Sequence, residues 1–522
     1  MVDAAGQRPQ EPQPCGSFCS CNDVSRNCAL TARSRVNDSA SHPYTDRNMT
    51  HLTHSAAHTG VQLYRGIRYA QPPIGALRFA PPVAHGTDGH AATGHTGIAP
   101  QSPSRLRNVM GDFADPQSED CLNLSVWTPA ADHARRPVLF WIHGGAFMSG
   151  AGALGWYDGS HLSAEGDVVV VSPNYRLGAL GFLHQTGLSD GNLGLLDLEL
   201  ALQWVRINIH RYGGDPDRIT VMGQSAGAWS AALMVARMKA EAPSIHQLIL
   251  QSGPLGVPPA LPESATVMAQ AFLHALAPGA TGAEALQHAR AASVPAILEA
   301  QGAAIRAIGN SLTPPGHPGL PFGPVADGKV VPGLADYRAY LEQAAGRVPV
   351  LVGWTRDEMS AFQAADPGSA EDRANAATAR AVFENPSRQW ASQARRAGRP
   401  AYAFSFDWAP ADSRFGACHC IELPFVFGSQ AAFAGAPMLG DEPAVSIDNL
   451  SRRVRAAWLA FVRHGDPNAA GPQGLPDWPL VADIDGPVMH IDTRCHVSAT
   501  GMQPARSTPV PSTFSTPRSS PP

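Results

Sequence analysis

The sequence predicts an α/β protein, a mostly parallel sheet with helices on both faces, and three observations carry that prediction. Residues 137–142 and 168–172 are almost wholly apolar, as strands covered on both faces must be. Residues 192–209 then place Leu195, Leu196, Leu198, Leu202, Val205 and Ile209 at helical spacing. The third observation is 217–235, DRITVMGQSAGAWSAALMV, where a strand over 218–222 turns sharply into a helix from Ala226 onward. Strand and helix in alternation imply right-handed crossovers in one parallel sheet.

The remaining elements follow in chain order. Residues 1–48 are rich in Pro, Ser, Asn, Asp and Arg and read as a disordered extension, with Met49 a candidate start. No apolar run follows a basic start there, so no signal peptide is recognised. Cys15, Cys19, Cys21 and Cys28 lack the paired spacing of a metal site, and none is expected. Residues 64–70 and 121–127 alternate strictly enough to read as half-exposed strands. Gly213-Gly214-Asp215-Pro216 stops the 192–209 helix. Residues 248–250, 348–352 and 401–406 are further strands, the Ala-rich stretch 260–308 is a helical insertion, and 449–464 is an amphipathic helix. The catalytic domain is expected over 49–500, with 501–522 a disordered Ser/Thr/Pro tail that, like 1–48, adds nothing to the site.

Composition excludes several functions. A net charge of −5 provides no basic surface for nucleic acid or an anionic membrane. The uncharged run 137–157 is broken by five glycines and a histidine and cannot be a membrane helix.

The chemistry centres on Gly223-Gln224-Ser225-Ala226-Gly227, a G-x-S-x-G in the strand–turn–helix setting that lifts a serine hydroxyl out of a sheet. Gly223 and Gly227 leave room for the turn, and the helix behind it offers N–H groups to an oxyanion. A serine nucleophile needs a base and an acid to orient it, and in this setting the chain order is serine, acid, histidine. Past the acid candidates only His419, His464, His490 and His496 remain. His464 ends a helix, His490 lies in a strand and His496 leads into the tail, whereas His419 lies in a loop after a strand. VPVLVGWTRDE puts Asp357 and Glu358 just past a buried strand; Glu358 is read as the acid and Asp357 as a helix cap. The glycine loop FWIHGGAFMSGAG follows another strand. The amides of Gly145, Ala146 and Ala226 are the expected oxyanion hole, the Ala146 methyl only narrowing φ. None of this chemistry calls for a cofactor or metal.

With these residues in place, the chain resembles the type-B carboxylesterases, α/β-hydrolases that include cholinesterases and bacterial p-nitrobenzyl esterases. The matching stretches are YRGIRYAQPPIGALRFAPP, SEDCLNLSVWTP, PVLFWIHGGAFMSG, VVVSPNYRLGALGF, GNLGLLDLELALQWVRINIHRYGGDPDRITVMGQSAGA, FGPVADG, VGWTRDE and GACHCIELPFVFG, covering most of 62–500. The resemblance implies an α/β-hydrolase fold with a helical insertion, and hydrolysis of small carboxylic esters through nucleophile Ser225, acid Glu358 and base His419.

The departures from the family carry expectations too. Gln224 replaces the usual Glu before the nucleophile, while Met359 and Cys420 stand where glycine normally follows the acid and the base. Ala99 occupies the place of the cysteine that would pair with Cys121 in secreted members, implying a free buried thiol and a cytoplasmic location. Cys418 and Cys420, flanking the base, are expected to react before Cys121. Residues 101–117 hold Phe113 but no tryptophan, implying no aromatic platform for quaternary ammonium and a preference for uncharged acyl esters over choline esters. The segment between Glu358 and His419 is short for the family, implying a pocket that lacks part of a wall. A monomer or weak homodimer is expected. A non-catalytic, neuroligin-like binding protein is opposed by the complete triad. A catalytically impaired enzyme is suggested by the short segment and the unusual termini.

Overall fold

The computed structural model describes residues 52–54, 60–86, 94, 97–239, 244–309 and 320–498. Both terminal extensions, with Met49 and the four N-terminal cysteines, lie outside these residues.

Eleven strands form one sheet: β1 (Leu52–His54), β2 (Gln62–Arg68), β3 (Asn123–Thr128), β4 (Arg136–Ile142), β5 (Val169–Pro173), β6 (Gly214–Gln224), β7 (Gln247–Gln251), β8 (Val350–Thr355), β9 (Ala401–Phe406), β10 (Val488–Ile491) and β11 (His496–Ser498). Their order is sequential except that β5 lies outside β4, between β3 and β4. From β5 across to β10 every neighbour pair is parallel, while β1–β2, β2–β3, β3–β5 and β10–β11 are antiparallel. The carboxyl ends of β4, β6, β8 and β9 therefore emerge along one edge, where sites on open sheets form.

Apolar runs became central strands because both faces of the sheet are covered. In β4, Val138, Phe140 and Ile142 join one apolar cluster, and Leu139 and Trp141 join another on the opposite face. Helices α1 (Leu193–Asn208) and α2 (Ala226–Arg237) pack into the first cluster. The first also holds the insertion, α3 (Pro262–Leu276), α4 (Gly282–Ala291) and α5 (Val294–Ile308). Helix α6 (Ala444–His464) packs through Trp458 into the second.

One reading of patterning is corrected. β3 alternates like a half-exposed strand, yet all six of its residues are buried. Two of its polar side chains face backbone rather than water: Asn123 donates to the Gly97 carbonyl at 3.1 Å, and Thr128 donates to the Tyr212 carbonyl at 2.8 Å. Alternation records polarity, and a buried polar group satisfied by backbone looks the same in sequence as a solvated one. Among the described residues no helix is long and apolar enough to cross a membrane.

Candidate active site

Ser225 stands between β6 and α2 with φ 56° and ψ −124°, a backbone that residues with side chains rarely adopt. A Cβ on Gly223 would lie 2.4 Å from the Gly227 carbonyl, and one on Gly227 would lie 2.1 Å from the Ile142 oxygen, so only glycine permits this turn. The Ser225 N–H donates to the Gln251 carbonyl at 2.9 Å, pinning the elbow to the end of β7. The side chain faces a cavity of about 530 Å³.

β4 runs out into His143-Gly144-Gly145-Ala146, which lies directly on the elbow. A Cβ on Gly144 would meet the Ser225 Cβ at 3.0 Å. Gly145, Ala146 and Phe147 all have positive φ (106°, 54° and 60°), and such turns gather successive N–H groups on one concave side. Ala146 thus does more than narrow φ: it occupies the left-handed region outright, at a cost of about 1 kcal/mol. Gly145, Ala146 and Ala226 line the cavity beside Ser225. Among the described residues no carbonyl accepts from the Gly145 or Ala146 N–H, and Ala226 opens a helix whose first amides have no intrahelical acceptor. His143, buried against Tyr175 at 4.4 Å, has its pKa pushed down to about 4 by desolvation and stays neutral.

β8 delivers Glu358, the expected acid. Glu358 is fully buried; its Oε1 accepts from the Thr355 N–H at 2.9 Å, and its Oε2 lies 2.5 Å from His419 Nδ1. Asp357 departs from its expected role. It sits at the start of a short 3-10 turn, Glu358–Ala361, but its side chain caps nothing there. Instead Oδ2 accepts from the Ala417 N–H at 2.9 Å, and the Asp357 N–H donates to the Ala417 carbonyl at 2.9 Å. Acid loop and base loop are thereby stitched together. Gly416, at φ 59°, permits the approach, since a Cβ there would meet the Asp357 carboxylate at 2.4 Å.

The other late histidines are placed elsewhere. His490 does form a Ser–His–Asp chain, to Asp407 at 2.6 Å and Ser498 at 2.9 Å, but Ser498 lies on edge strand β11 and none of the three lines the Ser225 cavity. A hydrogen-bonded histidine without a cavity clamps a hairpin. His464 ends α6.

Two contacts beside His419 escaped sequence reasoning. The Gln224 amide nitrogen lies 3.2 Å from His419 Nε2 and 3.3 Å from Cys420 Sγ. Glu422, three residues past the base, is buried with Oε1 accepting from Gln251 Nε2 at 3.2 Å, and Oε2 has no partner among the described residues. Burial, reinforced by the Glu358 charge and opposed by His419, pushes its pKa up to about 7. Only the spacing H-C-I-E hinted at this neighbour.

The walls correct three expectations. An aromatic surface is present after all, because the 3-10 turn Gly155–Tyr157 brings Trp156 to the cavity, with Phe113 edge-on at 5.5 Å. The short segment of 61 positions between Glu358 and His419 still walls the cavity through Met359, Phe362 and Phe383. Cys418 is fully buried in the second apolar cluster, and burial pushes its thiol pKa up just as it does at Cys121. Cys420 does line the cavity, yet its thiol is likewise pushed up by burial, so neither flanking thiol is primed to react early.

Comparison with known proteins bears on this arrangement. A family model for the carboxylesterase family matches residues 50–380 and 361–507. The chain belongs to the carboxylesterase family. It is 37% identical over 429 residues to the probable N-octanoylanthranilate hydrolase of Rhodococcus erythropolis, covering 78% of this chain and 89% of that one. It is 34% identical over 470 residues to the para-nitrobenzyl esterase of Bacillus subtilis (83% and 90%). Among solved structures, a thermophilic PNB esterase superposes with a TM-score of 0.73 at 31% identity, covering 85% of this chain and 94% of that one. The fold is that of the α/β-hydrolases, and the protein is a carboxylic ester hydrolase of this family.

Proposed function

We propose that this esterase works through an acyl-Ser225 intermediate, with His419 as base and then acid, Glu358 orienting it, and the Gly145, Ala146 and Ala226 amides receiving the oxyanion. The observation that carries the reading is the 2.5 Å contact of His419 Nδ1 with Glu358, in a ring that lines the same cavity as Ser225. With Nδ1–H turned to Glu358, Nε2 carries the lone pair that must accept the serine proton. Three oxyanion amides supply on the order of 3 kcal/mol or more of transition-state stabilisation. After the alcohol leaves, water attacks the acyl carbonyl by the same base and restores Ser225. A medium-length acyl chain, as in the octanoyl compound named for the Rhodococcus relative, suits walls such as Met268, Phe322 and Phe383. Cys121 and Ala99 line one small cavity with no disulfide, which supports the cytoplasmic reading.

One observation favours an impaired enzyme instead: the Gln224 amide lies 3.2 Å from His419 Nε2 and donates to the lone pair to which the Ser225 hydroxyl must donate. Kinetics on 4-nitrophenyl butyrate decide. Ser225→Ala should lower kcat by several orders of magnitude, to roughly 10³-fold over water. A fluorophosphonate should label Ser225 alone. Turnover unaffected by Ser225→Ala refutes the nucleophile; absent turnover and labelling refute the working enzyme.

A further inference from the structure

Helix α5 turns four buried residues inward, Ile297, Ala300, Gln301 and Ala304. Three of them are apolar and join the first cluster. Gln301, only 2% exposed, is the exception. Its Oε1 accepts from the Ala179 N–H at 2.8 Å. A backbone N–H can bond only the oxygen of a side-chain amide, so this contact also fixes which end is Nε2. Gly178, at φ 54°, leaves the amide its place: a Cβ there would lie 2.1 Å from Oε1 and 3.2 Å from Nε2. The Gly178 N–H in turn donates to the Phe147 carbonyl at 2.7 Å, which ties the amide's anchor to the loop expected to bind the oxyanion.

The bond to Ala179 occupies the oxygen and leaves the donor end over. Gln301 lines the Ser225 cavity, and its Nε2 donates to nothing among the described residues. Gln224, the other amide in the lining, is engaged with His419 and Cys420. Phe147, Phe182, Met268 and Phe322 also line the cavity, and all four belong to the first cluster with α5. The aromatic surface of Trp156 comes from the second cluster, so Gln301 and Trp156 belong to different walls. A buried donor without an acceptor costs free energy that a bound acceptor returns. One neutral amide suits a neutral acceptor, because burying a carboxylate against such walls costs far more than one amide donor restores.

We infer that Gln301 selects the acyl chain, and that the preferred substrates are esters whose acyl part carries a second, neutral carbonyl accepting from its Nε2. The inference rests on the esterase reading above and adds a substrate class to it. The second carbonyl is bound and takes no part in bond making; the ester carbonyl alone reacts with Ser225.

The test compares 4-nitrophenyl octanoate with the 4-nitrophenyl esters of 5-oxo-, 6-oxo- and 7-oxooctanoic acid, which keep the chain length and leaving group while moving a ketone along the chain. Each kcat/KM of the full chain is divided by the hydroxide rate of the same ester, which removes differences in intrinsic reactivity. At the best ketone position the oxo ester should exceed octanoate by about threefold to tenfold, the size of one net hydrogen bond. In Gln301→Met the same ratio should fall below one, because a carbonyl buried without a donor is penalised. A role confined to tying α5 to Ala179 slows both esters alike and leaves the ratio where it was. Native ratios at or below one at every position, or a ratio that Gln301→Met does not move, overturn the inference while leaving the esterase intact. Should the variant fail to fold, the native series decides by itself, since an unpaired carbonyl can only lower the ratio. Cleavage of none of the esters overturns the esterase reading, and this inference with it.

Discussion

Replacing Glu422 by Gln measures the cost of a carboxyl buried behind His419. The native group has its pKa raised from 4.5 to about 7 by desolvation. A gap of roughly 2.5 units corresponds to on the order of 3 kcal/mol, at about 1.4 kcal/mol per unit. Because the folded pKa is raised, the carboxyl's contribution to stability is fully present below its ordinary pKa and is lost as pH rises through 7. At pH 8 the native protein must either ionise Glu422 in an apolar site or hold its proton against the solution; glutamine does neither. Gln also keeps an oxygen to accept from Gln251, so the hydrogen bond at 3.2 Å survives. The Gln variant should therefore gain about 3 kcal/mol on the native protein between pH 5 and pH 8. With an unfolding entropy of about 2 cal/mol/K per residue over roughly 450 folded residues, that is a relative Tm gain of about 3 °C. Calorimetric melts of both proteins at the two pH values read it directly. A Tm difference that stays the same from pH 5 to pH 8 would sink the reasoning.

Two further outcomes follow from the loop and the thiols. Gly145→Ala places a Cβ 1.9 Å from the Ser149 carbonyl at a φ of 106°, so the oxyanion loop must shift; kcat should drop by about 10²-fold to 10³-fold, and a kcat within threefold of native would contradict the assignment of these amides. Of the four cysteines in the described residues, half-buried Cys495 should be alkylated first and buried Cys121, Cys418 and Cys420 only on unfolding; peptide mapping that finds Cys418 modified in the folded protein would refute this.

Local chemistry determined a good deal by itself. The strand–turn–helix around Ser225 was legible because only glycine tolerates contacts of 2.4 Å and 2.1 Å at Gly223 and Gly227, so the motif spells out its own geometry. The apolar runs of β4 and β5 declared a sheet buried on both faces; the ordering of serine, acid and histidine left four late histidines, and only His419 among them fell in a loop after a strand. What the sequence could not decide depends on groups far apart in the chain meeting in space. Asp357 looks like a cap until the 415–418 loop arrives and takes its carboxylate. β3 looks half-exposed until backbone from Gly97 and Tyr212 covers its polar side chains. Trp156 joins Phe113 across 43 positions to supply an aromatic wall that the 101–117 segment alone does not contain. Glu422 reads as an ordinary surface acid, and only the packing of α6, β7 and the base loop around it removes the water that would keep its pKa low. Periodicity and turn sterics act between near neighbours and are written in the chain. Desolvation and charge depend on everything within several ångströms, and tertiary structure alone assembles that surrounding.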